Sequence, residues 1–203
     1  MQFNPYFNKL AAAEYLLLIE PRKDLSDKIT DIKKYFHEKY KAPEAIRGKP
    51  HITLVNFVQY TTFEERICQK LRSLSLSKAP LLMELRDYGS FPSHTIYINI
   101  ISRLAVQNLV KNIRTEMQRL MKLNNGNRPH FILEPHLTIA RKLKPWQYEQ
   151  GWLEFSRKNF SGKLFIANNM ILLRRDRAGG KYQLVERFGF GNIPVATKQA
   201  MLF

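Results

Sequence analysis

Apolar and polar positions along the chain switch between two periods, and the switches mark out its elements. A compact apolar run over residues 15–19, ended by Pro21, reads as a buried strand. In "DLSDKITDIKKYFHEKYK", Leu25, Ile29, Ile32 and Phe36 recur at helical spacing with charges between them, which predicts an amphipathic helix with basic last turns. The loop "APEAIRGKP" follows, then a second strand over 51–58 and a helix over about 63–74 on which Phe63, Ile67, Leu71 and Leu74 form a stripe. "PLLMELRDYGSFPSHTIYINI" reads as two strands joined by a turn at Gly89, Ser90 and Pro92. The longest helix is predicted over 103–123, where Leu104, Val110, Ile113, Met117, Leu120 and Met121 follow a 3.6 period until "NNGNRP" stops it. A further strand carries His136, a helix covers 145–157, and strands near 163–167, 170–174 and 182–188 close the chain.

This order of elements runs through two similar halves, although the halves do not align as sequence. The expected architecture is α+β and bilobal, with pseudo-two-fold related halves, each an antiparallel-rich sheet with flanking helices, around a central cleft. No low-complexity linker separates the halves, so residues 1–203 are expected to form one domain of two intertwined lobes. The tail "GNIPVATKQAMLF" carries few charges and is expected to lie against the body, with no role assigned. With 203 residues, 44% of them hydrophobic, the chain has ample material for a packed interior.

Charge narrows the partners. Lys and Arg outnumber Asp and Glu by 33 to 17, a net charge of +16, which favours polyanionic partners or phosphate-bearing substrates. Nucleic acid, nucleotides and an anionic membrane surface all meet that condition. No apolar run approaches a membrane span, and Glu14 interrupts "LAAAEYLLLIEP", so neither a membrane partner nor a signal segment is expected. The single cysteine, Cys68, rules out an intramolecular disulfide, fits a reducing cytoplasm and falls beside a buried helical stripe, where it packs. No glycine-rich phosphate loop is present, and the histidines and carboxylates lack metal-ligand spacing, so neither metal nor cofactor is expected. No obligate protein partner is implied.

One pattern stands above this background. "PHITL" places His51 and Thr53 two apart in a strand, and "PHLTI" does the same with His136 and Thr138. Residues two apart in a strand share a face, so each segment presents an imidazole with a hydroxyl and turns two aliphatic residues the other way. A single such motif reads as a histidine satisfied by a strand neighbour. Two copies, each after a proline and each in the equivalent strand of its half, read as one site assembled across a cleft. Cleavage of a phosphodiester needs a base for the attacking oxygen and an acid for the departing one, on opposite sides of phosphorus, and imidazole serves as either near neutral pH. Two hydroxyls can hold the non-bridging oxygens, with basic charge around them and no metal required.

Further candidates surround the motifs. Arg141 can extend from a strand end to neutralise substrate charge, and Phe91 and Tyr182 can stack on a nucleobase. His37, His94 and His130 receive no role.

These segments resemble the 2H phosphoesterase superfamily, which includes bacterial RNA 2′,3′-cyclic phosphodiesterases, also called 2′-5′ RNA ligases. Its mark is a pair of His-x-Thr-x motifs with apolar x, matched by "HITL" at 51–54 and "HLTI" at 136–139. "LLLIEP", "YGSFPSHTIYINI" and "YQLVERFGF" also resemble the family's strands. The resemblance implies a bilobal α+β fold, His51 and His136 as acid and base, Thr53 and Thr138 as phosphate ligands, a 2′-phosphate product and weak 2′-5′ ligation by the same groups. Where many members carry a serine before the closing hairpin, this chain has Arg174 and Arg175, candidates for a phosphate beyond the scissile one. The expected function is therefore metal-independent opening of a 2′,3′-cyclic phosphate, at an RNA terminus, in the cytoplasm. Two alternatives stand beside it: the same chemistry on a small cyclic nucleotide, a 2′-5′ oligoadenylate or a cyclic phosphate of ADP-ribose, and a non-catalytic RNA-binding module.

Overall fold

Alternation along most of the first strand sets the layers of the molecule. In β1 (Ala12–Ile19), Ala13, Tyr15, Leu17 and Ile19 are all buried, and their side chains face the helices. The structure, a computed structural model, describes residues 11–191, so the expectation for the tail beyond 191 lies outside the described residues. After β1 come α1 (Lys23–Tyr40), a 3₁₀ turn (Pro43–Ile46), β2 (Ile52–Tyr60), a 3₁₀ turn (Thr61–Phe63), α2 (Glu64–Leu76), β3 (Leu81–Phe91) and β4 (Thr95–Ile100). The chain continues through α3 (Arg103–Met121), β5 (His130–Phe131), β6 (His136–Ala140), α4 (Pro145–Phe155), β7 (Lys163–Ala167), β8 (Asn169–Asp176) and β9 (Gln183–Gly189).

One sheet runs in the order β7-β3-β4-β6-β2-β1-β8-β9, with every pairing antiparallel and β5 added beside β2. The order reads alike from both ends: β9-β8-β1-β2 in one half answers to β7-β3-β4-β6 in the other. The halves join where Ile52 of β2 pairs with Leu137 of β6. Helices are exchanged across this joint. Helix α1 follows β1 in the chain but packs on β6 and α4 of the other half, while α3 follows β4 and packs on β2 and α2.

Side-chain size explains how closely α1 and α4 approach. Phe36 of α1 meets Phe155 of α4 with ring centroids 5.4 Å apart, and Tyr88 of β3 sits edge-on to Phe155 at 4.9 Å. The helices close because Gly151 has no side chain: a Cβ there would lie 2.7 Å from Phe36 Cζ and 3.2 Å from Ile96 Cδ1.

Three features depart from the sequence pattern. The turn between β3 and β4 is at Pro92–His94, with Ser93 at φ 71°, while Gly89 and Ser90 remain inside the strand. Leu104 is 74% exposed at the start of α3, and the buried stripe is Val106, Leu109, Val110, Ile113, Met117 and Met121. Phe63 lies in the 3₁₀ turn ahead of α2 and is exposed.

Replacing Gly151 with valine should destabilise the protein. Relief of glycine's poor helix propensity is worth under about 1 kcal/mol, whereas forcing methyl groups against the buried Phe36 ring costs about 1–3 kcal/mol. Urea unfolding with an unchanged m-value should show a lower midpoint; a midpoint equal to or above wild type would mean that α4 can move off α1 freely.

Candidate active site

The Ile52–Leu137 pair places the two motifs in register. With these residues opposite each other in an antiparallel pair, residue 51 faces 138 and residue 53 faces 136. Ile52, Leu54, Leu137 and Ile139 are fully buried on the helix side, so His51, Thr53, His136 and Thr138, all half-buried, project from the other face. The histidines form a diagonal pair, with Cα atoms about 7–8 Å apart in a regular sheet. The expected quartet therefore shares one face of one sheet.

The prolines have a structural use. Lys49 and Glu134 each precede a proline, which disfavours the helical region for them and biases them to extended backbone. His51 Nδ1 donates to the Lys49 carbonyl at 2.8 Å, and His136 Nδ1 donates to the Glu134 carbonyl at 2.8 Å. A carbonyl only accepts, so each neutral imidazole carries its proton on Nδ1 and leaves the Nε2 lone pair free. Both rings are held in the same tautomer by the same device.

Burial is the largest influence on both imidazoles and lowers their pKa values from the usual histidine range. At His51 the carbonyl bond opposes this, Lys33 and Arg141 reinforce it, and Glu20 opposes it. At His136 both the carbonyl bond and the Glu134 carboxylate oppose it.

The two sides of the quartet differ in composition. Beside His136 stand Phe91, edge-on at 4.9 Å, and Tyr97 at 5.2 Å, with 4.7 Å between those two rings. Tyr97 is opposite Thr138 and Asn99 opposite His136 in the β4–β6 ladder. The Tyr97 ring lies across Gly89, where a Cβ would come within 2.6 Å of Tyr97 Cε2; this accounts for a glycine inside β3. In the other half, Thr53 is opposite Leu18, which is buried. The His51 side is cationic. Arg141, exposed just beyond β6, acts electrostatically on both His51 and Tyr182, and the Arg175 guanidinium lies 4.8 Å from the Tyr182 ring centre while bonding Glu14 at 2.6 Å.

Arg174 and Arg175 separate because adjacent strand residues point to opposite faces. Arg174 bonds both oxygens of Glu64, at 2.9 and 3.1 Å, and Tyr15 donates to the same carboxylate from the helix side of β1. Arg174 is thus a structural residue away from the quartet. Lys33, Tyr97 and Asn99 carry no motif in the sequence that marks them as neighbours of the histidines. A lysine four after Ile29 and three before Phe36 lies on the apolar face of α1, and that was the available signal for Lys33. Among the described residues no group of three or more His, Cys, Asp or Glu could hold a metal ion, and no helix is long and apolar enough to cross a membrane.

A family model described as the 2′-5′ RNA ligase superfamily matches residues 21–179. No curated protein matches the chain. Among solved structures, Escherichia coli LigT complexed with 3′-AMP is similar at 16% identity and a TM-score of 0.58, covering 88% of this chain and 98% of that one. LigT complexed with NADP+ is similar at 14% identity and a TM-score of 0.56, covering 89% and 98%. TT0787 of Thermus thermophilus is similar at 17% identity and a TM-score of 0.53, covering 88% and 98%. At these identities the structures share the fold.

Lowered histidine pKa values have a stability consequence with a definite sign. Between the folded values and the ordinary value near 6.5, the unfolded chain binds more protons, so stability is full above that range and falls as pH drops through it. Urea midpoints from pH 8 down to pH 5 should decline, and the decline should shrink in a His51→Gln, His136→Gln double variant. Long-range ¹H–¹⁵N spectra at pH 7 should show both rings neutral and protonated at Nδ1; an Nε2–H form at either ring would contradict the carbonyl lock.

Proposed function

Because the chain belongs to the 2′-5′ RNA ligase superfamily, a group of 2H phosphoesterases, we propose that it opens a 2′,3′-cyclic phosphate at an RNA terminus to a 2′-phosphate, without a metal. The observation that carries this reading is the matched pair of imidazoles on one face, each with Nδ1 committed to a carbonyl and Nε2 free. One Nε2 takes a proton from water as it attacks phosphorus, and the other ring, protonated, delivers a proton to the departing ribose oxygen. The Ile52–Leu137 pairing, with one ring contributed by each strand of the joint, supports proton transfer on two sides of phosphorus. Thr53 and Thr138 donate to the non-bridging oxygens, and the cationic side offsets the charge that develops there. With a 5′-hydroxyl in place of water, the same steps form a 2′-5′ linkage at the cyclic end: one ring takes the hydroxyl proton and the other protonates the departing 3′-oxygen.

The aromatic corner of Phe91 and Tyr97 beside His136 suits a nucleobase, and the nucleotide complexes of LigT support a nucleoside phosphate as ligand. The +16 charge supports an oligomer over a mononucleotide, because only an oligomer reaches basic residues beyond the cleft. A buried Cys68, whose thiol burial pushes up to about 12, supports a cysteine kept for packing in a reducing cytoplasm.

The test is incubation with a short RNA ending in a 2′,3′-cyclic phosphate in EDTA, with the product identified by mass and phosphate position. Wild type should yield the 2′-phosphate. His51→Ala and His136→Ala should each lose about 10²–10⁴-fold in kcat, and Thr53→Val and Thr138→Val should lose less. Equal turnover of a mononucleotide cyclic phosphate at any salt would move the substrate to small nucleotides, and salt-dependent binding without product would make the protein a binding module.

A further inference from the structure

A charged side chain within the core of α1 has no use in the mechanism described above. Lys33 is 5% exposed, and among the described residues no carboxylate pairs with it. Its Nζ donates to the carbonyl of Gly48 at 2.8 Å. Gly48 stands at φ 73°, a backbone conformation that glycine adopts without strain, and it is the residue before Lys49, whose carbonyl holds His51 Nδ1. An ammonium inside the protein thus fastens the segment that orients one of the two imidazoles.

Such a group is expensive to keep. Burial without a carboxylate partner disfavours the charged amine, and replacement of buried charges by apolar groups of similar shape is often neutral or stabilising. Retention of a lysine here therefore points to work at the site. We propose that Lys33 is a positioning residue of the active site, fastening the Gly48–Lys49 backbone so that His51 keeps its Nδ1–H tautomer and lending positive charge to the His51 side of the cleft. The proposal rests on the phosphodiesterase reading for its kinetic consequence but not for its effect on His51.

The electrostatics agree with this geometry. The groups that act on His51 from the surrounding elements are Lys33 from α1, Arg141 beyond β6, Glu20 after β1, and the Lys49 carbonyl. Lys33 and Arg141 lower the His51 pKa, Glu20 raises it, and burial is the largest effect. Burial first, then Arg141, brings Lys33 itself down to about 8. At neutral pH Lys33 is mostly protonated and favours a neutral His51, the form in which Nε2 can accept a proton. Removal of the ammonium moves the His51 pKa upward through charge and downward through a loosened Lys49 carbonyl bond, so the tautomer of His51 is the sharper readout of the fastening.

Lys33→Met, which keeps length and removes charge, tests this. The variant should unfold at the same or higher urea concentration than wild type. In a ¹⁵N NMR titration its neutral His51 should show a mixture of Nδ1–H and Nε2–H forms, with His136 still protonated at Nδ1. Its kcat on the cyclic-phosphate RNA should fall by about ten- to a hundredfold, as for a misplaced catalytic group. A variant that loses stability while His51 stays wholly in the Nδ1–H form would overturn the proposal and make Lys33 structural. Were wild type inert on this RNA, the functional reading would fall, while the NMR titration would still decide the role of Lys33.

Discussion

One backbone pairing, Ile52 of β2 against Leu137 of β6, holds the site together. It joins two half-sheets that otherwise have separate hydrogen-bonded ladders, and it sets which residues face each other across the joint. Its register is enforced from below by Ile52, Leu54, Leu137 and Ile139, all fully buried. A slip of β6 by one residue would send Leu137 and Ile139 to the solvent face and His136 and Thr138 into the core. At about 1.5–3 kcal/mol per exposed aliphatic side chain, the slip costs about 3–6 kcal/mol before the two buried polar groups are counted, a large share of the stability of a domain. The chemistry of the upper face is therefore aligned by the hydrophobic effect on the lower one.

The exchanged helices make that joint hard to open. Because α1 leaves one half and packs on β6 and α4 of the other, separating the halves would strip Phe36 from Phe155 and Gly151 as well as break the pairing. The same exchange brings Lys33, a residue that follows β1 by a few turns of helix, close to a loop ahead of β2 and to Arg141 beyond β6. A connection that serves packing also serves the electrostatics around His51.

Symmetry in the frame and asymmetry in its lining do different jobs. The two-fold relation repeats the histidine, the threonine, the preceding proline and the Nδ1-to-carbonyl bond, which are what two-sided proton transfer at phosphorus requires. The lining breaks the relation: Phe91 and Tyr97 stand beside His136, whereas Lys33 and Arg141 act on His51. An asymmetric ligand with a flat base at one end and negative charge at the other has one favoured orientation on such a face.

Local periodicity determined the elements, the faces of the two histidine strands and the idea of paired halves, because a strand's alternation and a helix's stripe depend only on near neighbours. It also led astray where a local signal had a distant cause. Gly89 reads as a turn, but it is glycine because the Tyr97 ring crosses it from the next strand. Tertiary structure alone decided that β2 meets β6, that Arg175 faces Tyr182 while Arg174 is tied to Glu64, and that Lys33 lies under the loop to His51. Each of these contacts joins residues distant in the chain or depends on which face of a strand is buried, and only the folded packing settles that.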